Sequence, residues 1–315
     1  MMRVKSLGHS GLKVSVVGLG CNNFGMRIDQ AATDLVVARA LDLGITLFDT
    51  ADIYGNKGGS ETMLGKALGA RRKDIVLATK FAGPMGEGPL MAGASRRYIM
   101  QAVEASLKRL GTDYIDLYQV HFPDAATPID ETLAALDTLV RDGKVRYIGC
   151  SNFAGWQVAE SWYIARDLGT AKFVSAQNHY NLLDRKIEQE LIPAAKAYGA
   201  SVLPYFPLAS GMLTGKYKRG ADLPNDGRLT VWGERGKAML SDANFDLIEK
   251  LSSFAEARGH SLLDLAFGWL ASQPQVASVI AGATKPEQVE MNVAAGTWEL
   301  SAAELAEVAT LSFRW

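Results

Sequence analysis

Eight apolar, strand-like runs recur along this chain with helix-period segments between them, and that alternation restricts the fold more than any other feature. The runs are Val16–Gly20, Ile45–Asp49, Asp74–Lys80, Ile115–His121, Val145–Ser151, Val174–Gln177, Ser201–Tyr205 and Val276–Ala281. Most are continuously apolar, as expected of parallel strands covered on both faces. Between them, Tyr98–Leu110, Glu131–Val140, Lys186–Tyr198, Asn244–Arg258 and Leu262–Ala271 place their apolar residues on one helical face. Pro128 and the acids after it suit a helix start, and Gly44, Gly69, Gly111, Gly143 and Gly199 fall where left-handed C-caps are wanted. The expected fold is α/β, a (β/α)8 barrel, formed by residues 1–315 as one domain. A short hairpin over residues 3–14 precedes it, and a long irregular loop from Leu208 to about Ser241 follows the seventh strand.

Composition narrows the partners. Lys and Arg number 33 against 34 Asp and Glu, with no long basic run, which argues against nucleic acid. The two cysteines, Cys21 and Cys150, make no disulfide framework and suit a reducing cytoplasm. The polar start MMRVKSLGHSG does not read as a signal peptide, and no apolar run reaches the ~18 residues of a membrane span. His9, His121, His179 and His260 have no metal-ligand spacing, so no metal is expected. Oligomeric state is not readable, and Trp232, Trp298 and Trp315 suit a core or an interface equally.

Barrel chemistry lies at the C-terminal ends of the strands. There the second strand releases Asp49 and then Tyr54, the third Lys80, the fourth His121, the fifth Ser151 and Asn152, the sixth Gln177 and Asn178, and the seventh Tyr205. Each has a plain explanation alone: Asp49 as a loop cap, Lys80 as a solvated strand end, His121 as a satisfied half-buried histidine, Ser151-Asn152 as a helix cap. Six successive strands ending in polar groups on one rim are not explained that way. A Tyr beside an ammonium has its phenolate favoured, an Asp fixes the ammonium, and a neutral His orients a carbonyl. Together they suit protonation of an alkoxide as it forms.

The motifs FDTADIYG (48–55), GGSETMLGKAL (58–68), LATKF (77–81), YIDLYQVHFPD (114–124), GKVRYIGCSNF (143–153), QNHYNLL (177–183), LPYFPLASGMLTGKY (203–217) and GATKPEQVEMN (282–292) resemble the aldo-keto reductase family from end to end. The resemblance implies an NADPH-dependent oxidoreductase reducing a small-molecule aldehyde or ketone, and Thr284, where the family often has a basic residue, leaves NADH usable. It implies a catalytic tetrad of Asp49, Tyr54, Lys80 and His121. It implies coenzyme contacts from Ser151, Asn152 and Gln177 at the amide, Tyr205 at the nicotinamide, and Leu208, Ser210, Leu213, Gly215 and Lys216 at the pyrophosphate. Gly282, Thr284, Lys285, Gln288 and Asn292 would take the adenosine end. The substrate pocket would be lined by Phe24, Met26, Phe81 and Phe122 together with Tyr54, His121 and parts of the long loop.

The chain departs from the family pattern at Phe206, where Ser is frequent, and near Thr284 and Met291, where a basic residue and an acid are frequent. A second reading is an NADPH-binding, redox-sensing subunit with slow turnover, like the potassium-channel beta subunits of the family. A barrel hairpin beginning at residue 3 favours the enzyme. Three other motifs fail their context. Gly18-Leu19-Gly20 lacks the third glycine and the helix of a dinucleotide fingerprint, and Gly149–Phe153 lacks the closing glycine of a nucleophile elbow. A Schiff-base role for Lys80 is disfavoured by Asp49 and Tyr54 beside it.

Overall fold

The computed structural model describes residues 2–224 and 228–312. Strands β1 (Val4–Ser6) and β2 (Lys13–Ser15) form an antiparallel hairpin. Eight further strands are parallel: β3 (Val17–Gly20), β4 (Leu47–Asp49), β5 (Val76–Phe81), β6 (Ile115–Val120), β7 (Val145–Ser151), β8 (Phe173–His179), β9 (Ser201–Tyr205) and β10 (Val279–Gly282). They pair in sequence order, and β10 returns to pair with β3. The circle closes between β9 and the approach to β10, where Val202 bridges Val276. Val202 N–H donates to Gln275 O at 2.7 Å there, and Ala277 N–H donates to Val202 O at 3.2 Å.

Helices follow the strands: Arg96–Leu110, Ile129–Arg141, Asp242–Glu256 and Leu262–Ser272 lie where the apolar periodicity predicts, and Gln30–Asp42, Tyr54–Leu68, Gly155–Leu168 and Pro286–Ala295 join them. Gly44, Gly69, Gly111, Gly143 and Gly199 all have positive φ at helix ends. One segment differs. Lys186–Tyr198 is not a single helix but a short 3-10 turn, Lys186–Glu188, and then a helix, Leu191–Tyr198. Pro193 explains the break: in a continuous helix its ring would clash with the carbonyl of Gln189, whereas in a first turn it is tolerated.

The long stretch after β9 is also less irregular than its composition suggests. It holds a 3-10 segment (Ala209–Thr214) and two short helices (Arg228–Val231 and Glu234–Met239), with residues 225–227 outside the described residues. Of the three tryptophans left open by the sequence, Trp232 packs edge-on against Phe206 and Trp298 stacks on His260. Trp315 lies outside the described residues.

The hairpin decides which end of the barrel is open. Leu7 and Val14 are fully buried and cluster with Leu47, Ala78, Leu117 and Leu203 from the barrel interior. Gly8 N–H donates to Ser201 Oγ at 2.8 Å, and Lys5 Nζ donates to Ala271 O at 2.7 Å and Val276 O at 2.9 Å. The N-terminal mouth is therefore plugged by apolar side chains and fastened by hydrogen bonds. The opposite mouth carries the strand ends.

Candidate active site

The strand pleat aims the polar groups inward. Successive strand residues point to opposite faces, so on β5 Lys80 enters the barrel while Phe81 turns to the helix layer and stacks on Tyr118 at 4.7 Å. Lys80 is fully buried, and its ammonium donates to Asp49 Oδ2 at 2.7 Å and Thr50 O at 2.9 Å. The second Asp49 oxygen accepts from Gln177 Nε2 at 2.9 Å and Gln119 Nε2 at 3.2 Å. A buried ion pair is tolerable only when its remaining lone pairs are satisfied, and the two glutamines do that. Lys80 Nζ lies 5.2 Å from the Tyr54 ring centroid, and His121 packs edge-on to Tyr54 at 5.6 Å. The four residues named from the sequence thus meet at one place.

Electrostatics assign their protonation states. Burial works against the Lys80 charge, but the Asp49 carboxylate and the Tyr54 oxygen outweigh it, and the ammonium's pKa is raised. Burial pushes the Tyr54 phenol up, against the pull of Lys80. The net rise differs from the lowering expected from the ammonium alone, because the ring is desolvated as well as paired; Tyr54 is a held proton, not a phenolate. Burial and then Lys80 drive His121 down to about 2, so its imidazole is neutral, and its Nδ1 has no hydrogen-bond partner among the described residues.

Tyr54 opens an unusual segment. Gly55, Asn56, Lys57 and Gly58 have φ of 65°, 57°, 66° and 110°, a left-handed turn ahead of the regular helix. A Cβ on Gly55 would lie 2.4 Å from Ser60 N and 2.6 Å from Phe24 O. That close approach seats the residue after Tyr54 against the loop following β3.

The expected coenzyme contacts lie around this centre. Ser151 Oγ donates to Gln177 O at 2.9 Å, Asn152 Nδ2 donates to His121 O at 3.0 Å, and Tyr205 OH donates to Asn152 Oδ1 at 2.8 Å. The Nε2 of Gln177 is engaged by Asp49 at 2.9 Å. Phe206 keeps φ at 51°, as do Ala209 at 46° and Ser210 at 58°, so the backbone turns sharply just after β9. Leu208 and Ser210 lie in that turn; Leu213 is fully buried, Gly215 has φ of 76°, and Lys216 is exposed. On the β10 side, Gly282 and Lys285 are exposed, Thr284 donates from N and Oγ1 to Gln288 Oε1, and Asn292 is buried. No side chain caps the start of helix Pro286–Ala295, which leaves N–H groups of the kind that bind anions. Amide donors, a half-buried aromatic ring and an uncapped helix start on one rim fit a nicotinamide dinucleotide.

Two substrate-pocket expectations are corrected. Phe24 and Phe81 are both 0% exposed and belong to the hydrophobic core, so neither lines an open pocket. For Phe81 the pleat is the reason; Phe24, in the loop after β3, packs into the core cluster with Leu19 and Leu64. Met26 and Phe122 are exposed, and Phe122 stacks on His121 at 4.3 Å. Gln119 was not singled out from the sequence, although it sits two residues before His121 and so shares its face. Asp52 was passed over as well. It is 1% exposed, neither carboxylate oxygen is well paired among the described residues, and burial, then Glu61, raises its pKa to about 8.

The chain is similar to known proteins along nearly its whole length. A family profile described as the aldo/keto reductase family matches residues 16–312. The chain is 39% identical to a probable voltage-gated potassium channel subunit beta of Oryza sativa over 302 residues, covering 93% of this chain and 91% of that protein. It is 38% identical to an uncharacterized oxidoreductase of Bacillus subtilis over 304 residues, covering 93% and 91%. It is 34% identical to L-glyceraldehyde 3-phosphate reductase of Escherichia coli over 319 residues, covering 98% and 91%. The chain belongs to the aldo/keto reductase family.

Proposed function

We propose that this chain reduces aldehydes or ketones to alcohols with NADPH, using Tyr54 as the general acid. The observation that carries the reading is the buried Lys80–Asp49 pair, 2.7 Å long, set beside a protonated Tyr54 and a neutral His121. Bound NADPH would supply the hydride to the carbonyl carbon. Tyr54 gives its phenolic proton to the carbonyl oxygen as negative charge gathers there. Lys80 stabilises the phenolate that remains, and Asp49, held by Gln119 and Gln177, keeps the ammonium in place. His121, neutral, orients the carbonyl oxygen by a hydrogen bond. Hydride goes to carbon and the Tyr54 proton to oxygen, leaving alcohol, oxidised coenzyme and a Tyr54 phenolate that regains its proton from solvent before the next turnover.

Exposed Met26 and Phe122, the latter stacked on His121, support a substrate site that suits small, largely apolar carbonyl compounds. In this reading Asn152 and Tyr205 would meet the nicotinamide and the Gly282–Gln288 segment the adenosine end, which the Tyr205–Asn152 hydrogen bond and the uncapped start of helix Pro286–Ala295 support. Two free, buried cysteines accord with a reducing cytoplasm. Among the described residues no helix is long and apolar enough to cross a membrane.

A second reading, an NADPH-binding regulatory subunit with slow turnover, is supported by the 39% identity to a probable potassium channel subunit beta. NADPH oxidation followed by absorbance with a panel of aldehydes separates the two. Sustained turnover of any panel member supports the reductase. Tight NADPH binding with at most one slow oxidation of the bound coenzyme supports the regulatory subunit, and absence of NADPH binding rejects both.

A further inference from the structure

A histidine that the proposed chemistry does not use lies against the half-exposed ring of Tyr205. β8 and β9 pair with His179 opposite Tyr205, so the two side chains leave neighbouring strand ends side by side. Their rings are 5.5 Å apart at the centroids and 9° from parallel. The imidazole is fixed at both nitrogens. Asn181 Nδ2 donates to Nε2 at 3.1 Å, which leaves Nδ1 as the donor towards Asp184 Oδ2 at 3.4 Å. The hydrogen bond from His179 is the first cause holding the Asp184 carboxyl below its usual range. Asn181 Nδ2 also donates to Phe206 O at 2.9 Å, and the Phe206 ring meets Tyr205 edge-on at 5.3 Å and His179 edge-on at 5.7 Å. At its far end Tyr205 is tied by its hydroxyl to Asn152.

We infer that His179 is a positioning residue: it braces one face of Tyr205 so that the other face is a rigid stacking surface for a nicotinamide ring. The inference rests on the coenzyme-binding reading above and adds to it a side chain outside the tetrad. The physical argument is preorganisation. A ring already held by a parallel partner, an edge-on partner and a hydroxyl hydrogen bond loses little freedom when a ligand stacks on it. Phe206, the departure from the family's frequent serine, joins the same brace.

The test uses His179→Ala and His179→Phe in the full chain. Tyr205 ring order is read by NMR relaxation with labelled tyrosine, assigned by Tyr205→Phe, and NADPH affinity by fluorescence titration. His179→Ala should loosen the Tyr205 ring and weaken NADPH by about two- to tenfold, the worth of one aromatic pair. His179→Phe restores a stacking face without the hydrogen bonds and should keep both readouts within about twofold of the parent. Unchanged ring order and affinity in His179→Ala overturn the inference, as does His179→Phe being as damaging as His179→Ala. If the parent binds no NADPH while Tyr205 loosens in His179→Ala alone, the brace stands and the coenzyme reading falls.

Discussion

Asp52→Asn should stabilise this protein, and by an amount that depends on pH. Asp52 is buried with neither oxygen well paired among the described residues, the Ile53 N–H offsets its burial only in part, and the acid that raises it further, Glu61, is already engaged by Thr79 Oγ1 at 2.6 Å and Arg109 at 2.7 Å. Its pKa rises from 3.8 to about 8. A carboxyl with a raised folded-state pKa keeps a proton that the unfolded chain releases, so between pH ~4 and ~8 rising pH favours unfolding. Below that window both states are protonated and the penalty vanishes; above it both are ionised and the penalty is constant. Inside it the slope is about 1.4 kcal/mol per pH unit, which accumulates to about 4 kcal/mol at pH 7. Asparagine removes the titration and keeps the shape. Urea unfolding of parent and variant, followed by tryptophan fluorescence from pH 5 to pH 8, measures the gap directly. The gap should be about 1.6 kcal/mol at pH 5 and widen by about 1.4 kcal/mol with each unit towards pH 8. All other titrating groups are common to both proteins, so a gap that stays flat across the range refutes the reasoning.

Other expectations concern the proposed chemistry. Tyr54→Phe should lose about 10²–10⁴-fold in kcat with little change in NADPH affinity; near-parental turnover of a good aldehyde removes Tyr54 from the mechanism. Lys80→Met should abolish turnover, and Asp49→Asn should weaken it and move any basic limb of the pH profile downward, because the Asp49 charge that raises the Tyr54 pKa is gone. Each single change breaks a buried pair and should lower stability by about 3–5 kcal/mol; effects that simply add in the double mutant, in urea unfolding and in kcat, would show that the two do not act as a unit. Thr284→Arg should sharpen the preference for NADPH over NADH and Lys285→Ala erode it, by up to about ten- to a hundredfold for one charge-assisted bond. Equal dissociation constants for the two coenzymes at low salt would contradict that placement of the phosphate.

Much of the barrel was legible because its strands are uninterrupted apolar runs; β7 and β9 begin and end at the residues the pattern implies. The tetrad was legible for the same reason, since a strand's end is where its apolar run stops. What failed was inference by neighbourhood. Phe81 follows Lys80 in sequence but faces the opposite layer, a consequence of pleat that the motif LATKF conceals. Gln119 was hidden inside a strand otherwise read as apolar, yet its parity with His121 was available. The left-handed turn after Tyr54 was not readable, because Gly-Asn-Lys-Gly-Gly also describes an ordinary loop. Asp52 was obscured by the loop-like composition of FDTADIYG, and only its depth in the fold makes its carboxyl costly.

The turn from Gly55 to Gly58 has a consequence for how this segment can vary. It is wound in the mirror image of an ordinary helix, and Lys57 bears the steric cost of that hand, roughly 1–2 kcal/mol for an L-residue, while Asn56 is a residue type that bears less of it. A D-amino acid at either position would relieve the strain that its L-counterpart imposes. Ribosomal synthesis offers no D-residue, and its nearest substitute is achiral glycine, already present at both ends of the turn. Mutational drift next to the candidate acid is therefore channelled by handedness: glycine and asparagine are admitted and β-branched side chains turned away, whatever the chemistry of the carbonyl compound outside.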